Sequence, residues 1–245
     1  MEKQKSFTLA EVLITLGIIG LVAEMTLPNL IQSFQKVVYV TSLKKAYTEF
    51  NQVLKQMSAD KGCVDDLKCS GLFATGTTAQ TFGDEFVKYV KVVKNCGMTT
   101  GQNCWSDSTN FDWDGKSANY YYINNRSDHY KFITADGMSI SITRVGVDDC
   151  GSNSSSGALG YMSQVCGQMF FDINGSKEPN DPGRDVFTFF ITNGKGALLY
   201  PYAGKDHVGY WWNYNAINYC SASNPDKTGW FCSGRITENG WVMDY

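Results

Sequence analysis

The sequence predicts an α+β chain: a long N-terminal helix, transmembrane in its first half, packed on an antiparallel β-sheet with disulfide-stapled loops. Three observations carry this expectation. Residues 7–23 form an apolar run broken by one carboxylate, Glu11, and a helical stripe follows it directly. Beyond about residue 120 the texture changes to short alternating segments separated by Gly, Asn and Asp. All eight cysteines lie beyond the apolar run. A chain of 245 residues has room for the helix and one globular domain with a real core.

The apolar run, Phe7 to Ala23, is slightly short of the ~20 residues of a spanning helix. Lys3 and Lys5 precede it, which orients the leader inside and the remainder outside. Beyond it, Val40, Leu43, Tyr47, Phe50, Leu54 and Met57 recur at steps of three and four, the stripe of one buried helix face. Gly62 is a stop signal for that helix. Pro28 lies inside the run and removes one backbone hydrogen bond, so a kink, local melting or a boundary between two helices is expected there.

A second helix is expected over residues 80–94. Thr81 would cap it, Asp84 and Glu85 fall in its first turn, and Phe82, Phe86, Val90 and Val93 share a face. Strands are expected at 120–123, 130–134, 138–143, 169–173, 186–192 and 197–200, with Asp136-Gly137 turning between two of them. These form an antiparallel sheet of four or more strands. There is no internal repeat and no long linker.

Formal net charge is −3 and no basic tract is present, so nothing points to nucleic acid. The even count of cysteines, Cys63, Cys69, Cys96, Cys104, Cys150, Cys166, Cys220 and Cys232, reads as disulfides formed in an oxidising compartment. No pair has CxxC spacing, which argues against zinc. Eight cysteines allow ~105 pairings. Sequential pairing is favoured, since each neighbouring pair closes a loop rich in Gly, Asn, Ser or Asp.

Glu11 is the most informative single residue. A charge inside a membrane helix costs a few kcal/mol, so its partner must be identified. Cleavage between Ser6 and Phe7 would create that partner, an α-amino group four residues upstream. The segment Lys5-Ser6-Phe7-Thr8-Leu9, with Glu11, Val12, Leu13, Ile14 and the apolar residues after them, resembles the N-terminus of type IV pilins and type II secretion pseudopilins. The match covers roughly the first sixty residues, and Ser6 stands where the family usually has Gly.

The resemblance implies residues 1–6 as a leader, 7–30 as the hydrophobic assembly helix and 31–245 as an extracytoplasmic, pilin-like globular domain. It implies cleavage after Ser6 and N-methylation of Phe7 by a prepilin peptidase, and a flexible point at Pro28. It also implies a bacterial inner-membrane location, an inner-membrane assembly platform as partner, and copies of itself or other pilins in a filament. Two other readings of the N-terminus remain: a secretory signal cut near Leu21-Val22-Ala23, and a plain membrane anchor.

The loop at residues 172–185 carries oxygen-bearing side chains between two apolar strands. Calcium takes six to eight oxygens from a loop that curls round it. Asp172, Asn174, Asn180 and Asp185 are the candidate ligands, with backbone carbonyls near Ile173 and Lys177. Pseudopilins carry calcium-binding loops, which the resemblance extends to this one. The spacing is not that of an EF-hand, and a metal-free turn in which Asp and Asn bond their own backbone is the competing reading. Calcium is the one cofactor the sequence suggests.

Residues 200–245 are rich in aromatics, including Tyr202, Tyr210, Trp211, Trp212, Tyr214, Tyr219, Trp230, Phe231, Trp241 and Tyr245. They read as the core of a loop-rich lobe clamped by Cys220 and Cys232. As an alternative, they are a platform for adhesion or DNA uptake by a membrane-anchored or filament-tip protein. The two histidines, His129 and His207, lack metalloprotease spacing and read as surface or loop residues. No nucleophile elbow or phosphate loop is present, so the expectation is a non-enzymatic assembly subunit.

Overall fold

A computed structural model describes residues 8–106, 123–144, 150, 164–193, 198–202, 220, 229 and 231–245. The chain falls into two compact units, Met1–Val38 and Tyr39–Tyr245. Helix α1, Leu9–Asp60, contributes to both. In the first unit its apolar side chains are exposed on every side, among them Leu13, Ile14, Ile18, Ile19 and Val22. The helix is long and apolar enough to cross a membrane. It stays helical through Pro28, in place of the local melting or helix boundary expected there. One proline removes only one hydrogen bond of the ladder, and the turns on either side keep theirs.

In the second unit α1 buries Val40, Leu43, Ala46, Phe50, Val53, Leu54 and Met57, while Tyr47 packs half-buried beside them. The helix ends as its sequence requires. Gly62 adopts φ +74°, the Gly62 N–H donates to Ala59 O at 2.8 Å, and the Cys63 N–H donates to Ser58 O at 2.8 Å. This pair of bonds satisfies two terminal carbonyls, and glycine reaches the left-handed conformation without strain.

The sheet is a six-stranded antiparallel meander in sequence order: β1 Val92–Gly97, β2 His129–Thr134, β3 Ser139–Arg144, β4 Val165–Asp172, β5 Val186–Thr192 and β6 Leu199–Pro201. Its helix-facing side presents Phe132, Ile140, Met169, Phe171, Phe187 and Phe189 to α1 in one core. Phe50 meets Phe171 at 5.4 Å and Tyr47 meets Phe189 at 5.4 Å between ring centroids. Asn51 joins the last strand to α1. Its Oδ1 accepts from Leu198 N–H at 3.0 Å and Leu199 N–H at 2.9 Å.

The helix expected over residues 80–94 is cut short. The second helix, α2, covers only Ala79–Phe86 and follows Thr78 rather than Thr81. Residues 92–97 form an edge strand, because pairing with β2 outweighs the helical pattern. The β-branched run Val90, Val92 and Val93 favours that outcome, and Val93 is exposed instead of sharing a face with Phe82 and Phe86. The strand expected at 120–123 lies outside the described residues except for Ile123, which begins a short 3-10 turn, Ile123–Asn125.

The other side of the sheet departs from a solvated polar face. Ser139, Ser141, Thr143, Thr188, His129 and Lys131 are buried there with Phe170 and Phe190. Each polar group needs a partner in that setting. His129 Nδ1 lies 2.8 Å from Ser141 Oγ, Lys131 Nζ donates to Arg126 O at 2.6 Å, and Thr143 Oγ donates to Asp128 O at 3.0 Å. His129 is therefore a buried strand residue, not a surface one. Desolvation lowers its pKa to about 4. His207 lies outside the described residues.

Helix α3, Cys232–Glu238, packs on β5 and β6. Its Ser233 Oγ donates to Thr188 O at 2.6 Å and accepts from Tyr202 N–H at 3.1 Å. All eight cysteines pair with their neighbours in sequence: Cys63–Cys69, Cys96–Cys104, Cys150–Cys166 and Cys220–Cys232. The second bridge closes the segment after β1, the third reaches into β4, and the fourth ties residue 220 to the start of α3.

Candidate functional site

Two places gather the chemistry-bearing residues. The first is the start of α1. Thr8 stands at the N-cap and Glu11 three residues later, the T-x-x-E pattern of a capping box. Glu11 Oε2 accepts from the Thr8 N–H at 2.8 Å and from the Thr8 hydroxyl at 2.9 Å, and the Glu11 N–H donates to Thr8 Oγ at 3.2 Å. Thr8 is a partner of Glu11 that the apolar run alone does not suggest, although the spacing of three residues announces it. Ser6 and Phe7 lie outside the described residues. Pro28 sits within α1, in the first unit.

The second place is the loop between β4 and β5. Asp172 closes β4 and Asp185 immediately precedes β5, and with Asn180 both are buried. The loop's shape depends on Asp185. Its Oδ2 accepts from Asn180 N–H at 2.9 Å and from Asn174 Nδ2 at 2.9 Å, while its Oδ1 accepts from Asp181 N–H at 2.7 Å. Both oxygens thus accept from the backbone or from Asn174, so Asp185 clasps the loop. Gly175, at φ +70°, passes so close to Gly137 that a Cβ there would meet its carbonyl oxygen at 2.5 Å. Gly183 accepts from the Tyr245 hydroxyl at 2.7 Å, which pins the C-terminal residue to the loop.

The remaining oxygens converge. One end of the Asn180 carboxamide lies 3.1 Å from Asp172 Oδ2, 3.1 Å from Gly175 O and 3.2 Å from Lys177 O. Asp172 Oδ1 and Asn174 Oδ1 are buried with no hydrogen-bond partner among the described residues. Asn174 Nδ2 is spent on Asp185, with longer contacts to Glu178 O at 3.4 Å and the Tyr39 hydroxyl at 3.5 Å.

The electrostatics are those of uncompensated negative charge. Burial raises the Asp172 carboxyl well above the usual range, and the Asp185 charge adds to it against the N–H groups of Asn174 and Gly175. Burial raises Asp185 to about 6, opposed by the N–H groups of Asn180 and Asp181 and by the Asn174 amide. Arg184 pairs with Asp181 at 3.1 Å and is largely exposed. Two buried carboxylates in one loop require a proton or a cation.

The donor set fits a hard cation. Calcium–oxygen bonds of 2.3–2.6 Å place neighbouring ligand oxygens roughly 2.7–3.7 Å apart, which brackets the spacing around the Asn180 amide. Asp172, Asn180 and the carbonyls of Gly175 and Lys177 would hold calcium. Among the described residues no three His, Cys, Asp or Glu side chains cluster as a metal centre, so the donor set is one carboxylate, amides and carbonyls. That chemistry suits calcium and not a transition metal.

The aromatic segment, as far as it is described, is mostly core. Tyr202 stacks on Phe190 at 4.8 Å and meets Phe231 at 5.3 Å, both rings being buried. Trp241 packs half-buried on Tyr47 at 5.2 Å. Tyr210, Trp211, Trp212, Tyr214, Tyr219 and Trp230 lie outside the described residues. No family model, curated protein or solved structure matches this chain.

Proposed function

We propose that this chain is a filament subunit of the pilin or pseudopilin type, cleaved between Ser6 and Phe7, N-methylated at Phe7 and assembled through α1. The observation that carries the reading is a helix whose first thirty residues expose apolar side chains on all faces, with Glu11 as the only charge before Glu24. Before assembly the bilayer covers these side chains. In a filament, neighbouring copies do so, and each buried Leu, Ile or Val contributes about 1.5–3 kcal/mol.

Glu11 sets the register. Its Thr8 bonds fix the carboxylate at the helix start, where the amine of a processed Phe7, its own or a neighbour's, can pair with it. A slipped subunit would leave that charge unpaired in an apolar core, so correct registration is favoured. The partners are a prepilin peptidase, an inner-membrane assembly platform and further pilin-type subunits. The globular unit lies outside the inner membrane, where its four disulfides form, and it works by assembly, not by catalysis. Calcium, held by Asp172, Asn180, Gly175 O and Lys177 O, neutralises the loop between β4 and β5 and supplies no redox or Lewis-acid step.

Intact mass of the protein purified from its own membrane tests this reading. The expected mass is that of a chain beginning at Phe7 plus one methyl group, rising by about 8 Da on reduction as four bridges each take up two hydrogens. An intact leader, or a cut near Ala23, would refute the filament reading.

A further inference from the structure

Helix α1 exposes a longer apolar stretch than a bilayer can cover. Large apolar side chains are exposed from Leu9 to Val38, about 44 Å of helix at 1.5 Å per residue. The hydrocarbon core of a bilayer is ~30 Å thick, which takes up about 20 residues, Leu9 to Pro28. Submerging the whole stretch would need a tilt of roughly 47°, beyond the ~40° that spanning helices reach. The apolar residues after Pro28 therefore meet water or another protein.

The pattern changes at the same place. Up to Met25 the exposed apolar residues point to every side, among them Leu13, Leu16, Ile18, Ile19, Leu21 and Val22. From Leu27 on they fall on one face, with Leu30, Ile31, Phe34 and Val38. The opposite side carries Asn29, Gln32, Ser33 and Lys36. Ser33 Oγ donates to Asn29 O at 2.9 Å, so that hydroxyl is satisfied within the helix. This stripe is not the start of the one that fills the core, because four and seven residues before Val40 stand Lys36 and Ser33. Lipid suits a helix that is apolar all round, whereas a one-sided stripe suits a protein partner.

We propose that this stripe is where two membrane-anchored copies of the chain pair, side by side, parallel and in register. Its spacing is that of a coiled-coil seam, since Leu27, Ile31, Phe34 and Val38 follow at steps of four, three and four. β-branched Ile31 and Val38 alternate with Leu27 and Phe34, a pattern that favours two parallel strands. Such a seam is complementary to itself. Two copies that enter one bilayer also share direction and depth, so identical residues meet at one level. Charge does not oppose the approach. Lys36 is the single charged residue between Glu24 and Lys44, and it stands away from the seam. Two heptads are short for a coiled coil in solution, but confinement of both anchors to one bilayer raises the effective concentration.

Pairing of this kind rests on the membrane anchorage of the reading above, but on neither cleavage nor filament growth. The test uses the full-length chain, leader uncut, in phosphatidylcholine vesicles without peptidase. All eight native cysteines are bridged, so an introduced thiol is the one that reacts. Ile31→Cys places it on the seam and Ser33→Cys on the polar face. On mild oxidation the yield of covalent dimer should be several-fold higher for Ile31→Cys. Equal yields, or no dimer from Ile31→Cys, would overturn the proposal, the latter meaning that lipid covers the stripe.

A second readout is sedimentation equilibrium of the same full-length chain in density-matched micelles. Phe34→Asp should raise the dimer dissociation constant ~10-fold or more, because a charge then lies in the seam, while Gln32→Ala on the polar face leaves it unchanged. Near-UV circular dichroism should be the same for all of them, since the core of the unit Tyr39–Tyr245 does not include these residues. A monomeric native chain, or Phe34→Asp pairing as tightly as the native chain, would refute the pairing. With the leader uncut and no peptidase present, that failure leaves the filament reading to be decided by intact mass, and a failure there leaves the pairing result standing.

Discussion

Asn51→Ala is the sharpest probe of how the globular unit grips its helix. Asn51 Oδ1 accepts the backbone N–H groups of both Leu198 and Leu199, at 3.0 and 2.9 Å, and its Nδ2 donates to Tyr47 O at 2.9 Å. Leu198 and Leu199 are fully buried, and β6, which begins at Leu199, is only three residues long. Truncation therefore leaves two buried donors without an acceptor, at about 1–3 kcal/mol each. Asn51 is partly exposed and water can reach one of them, which places the expected loss at about 2–4 kcal/mol. For a unit of this size that lowers Tm by roughly 5–12 °C. The assay is urea unfolding followed by near-UV circular dichroism, with the denaturant slope checked to be unchanged. Asn51→Asp keeps the acceptor and should retain most of the stability. A loss below ~0.5 kcal/mol for Asn51→Ala, within ordinary surface-substitution noise, or equal losses for both variants, would refute the reasoning.

Two further predictions concern the helix start and the buried histidine. Glu11→Ala should impair filament assembly without lowering the stability of the unit Tyr39–Tyr245, which has its own core; normal filaments at normal yield would count against the registering role. His129 is held neutral, with its pKa lowered from 6.5 to about 4 chiefly by burial, which the charges of Arg126 and Lys131 reinforce and that of Asp128 opposes. Its unfolded form takes up the proton first, so its contribution is fully present above pH 6.5 and is lost as pH falls toward 4. The loss amounts to about 3 kcal/mol. The difference in stability between the native chain and His129→Gln, measured across that range, should carry this slope, and a flat difference would exclude it.

Local pattern accounts for much of the layout. The stripe from Val40 to Met57, the Gly62 stop and the alternation at residues 138–143 all rest on periodicity, which a sequence displays directly. Disulfide pairing between neighbours follows from short loops, whose ends have little freedom to be apart. Other features rest on partners distant in sequence. Residues 92–94 read as the end of a helix until β2 is available to pair with the segment 92–97. His129 reads as a loop residue until the second face of the sheet is covered.

The loop at residues 172–185 divides the same way. Composition marked it as rich in side-chain oxygens, but could not say which of them bond the loop's own backbone. Asp172 and Asp185 are chemically the same. The fold directs backbone N–H groups at both oxygens of Asp185, and directs one oxygen of Asp172 toward Asn180 while leaving the other without a partner among the described residues.

By itself, then, the sequence determined the apolar helix with its early glutamate, the helical stripe behind it and the strands that alternate, and it favoured the bridging of neighbouring cysteines without fixing it. These are consequences of spacing along one chain. The tertiary structure alone decided which polar residues became buried, which edge segment joined the sheet, and which carboxylate in the loop kept an oxygen without a hydrogen-bond partner among the described residues. Those outcomes depend on groups brought together from far apart in the chain, where burial and the hydrogen-bond partners it allows fix each residue's role.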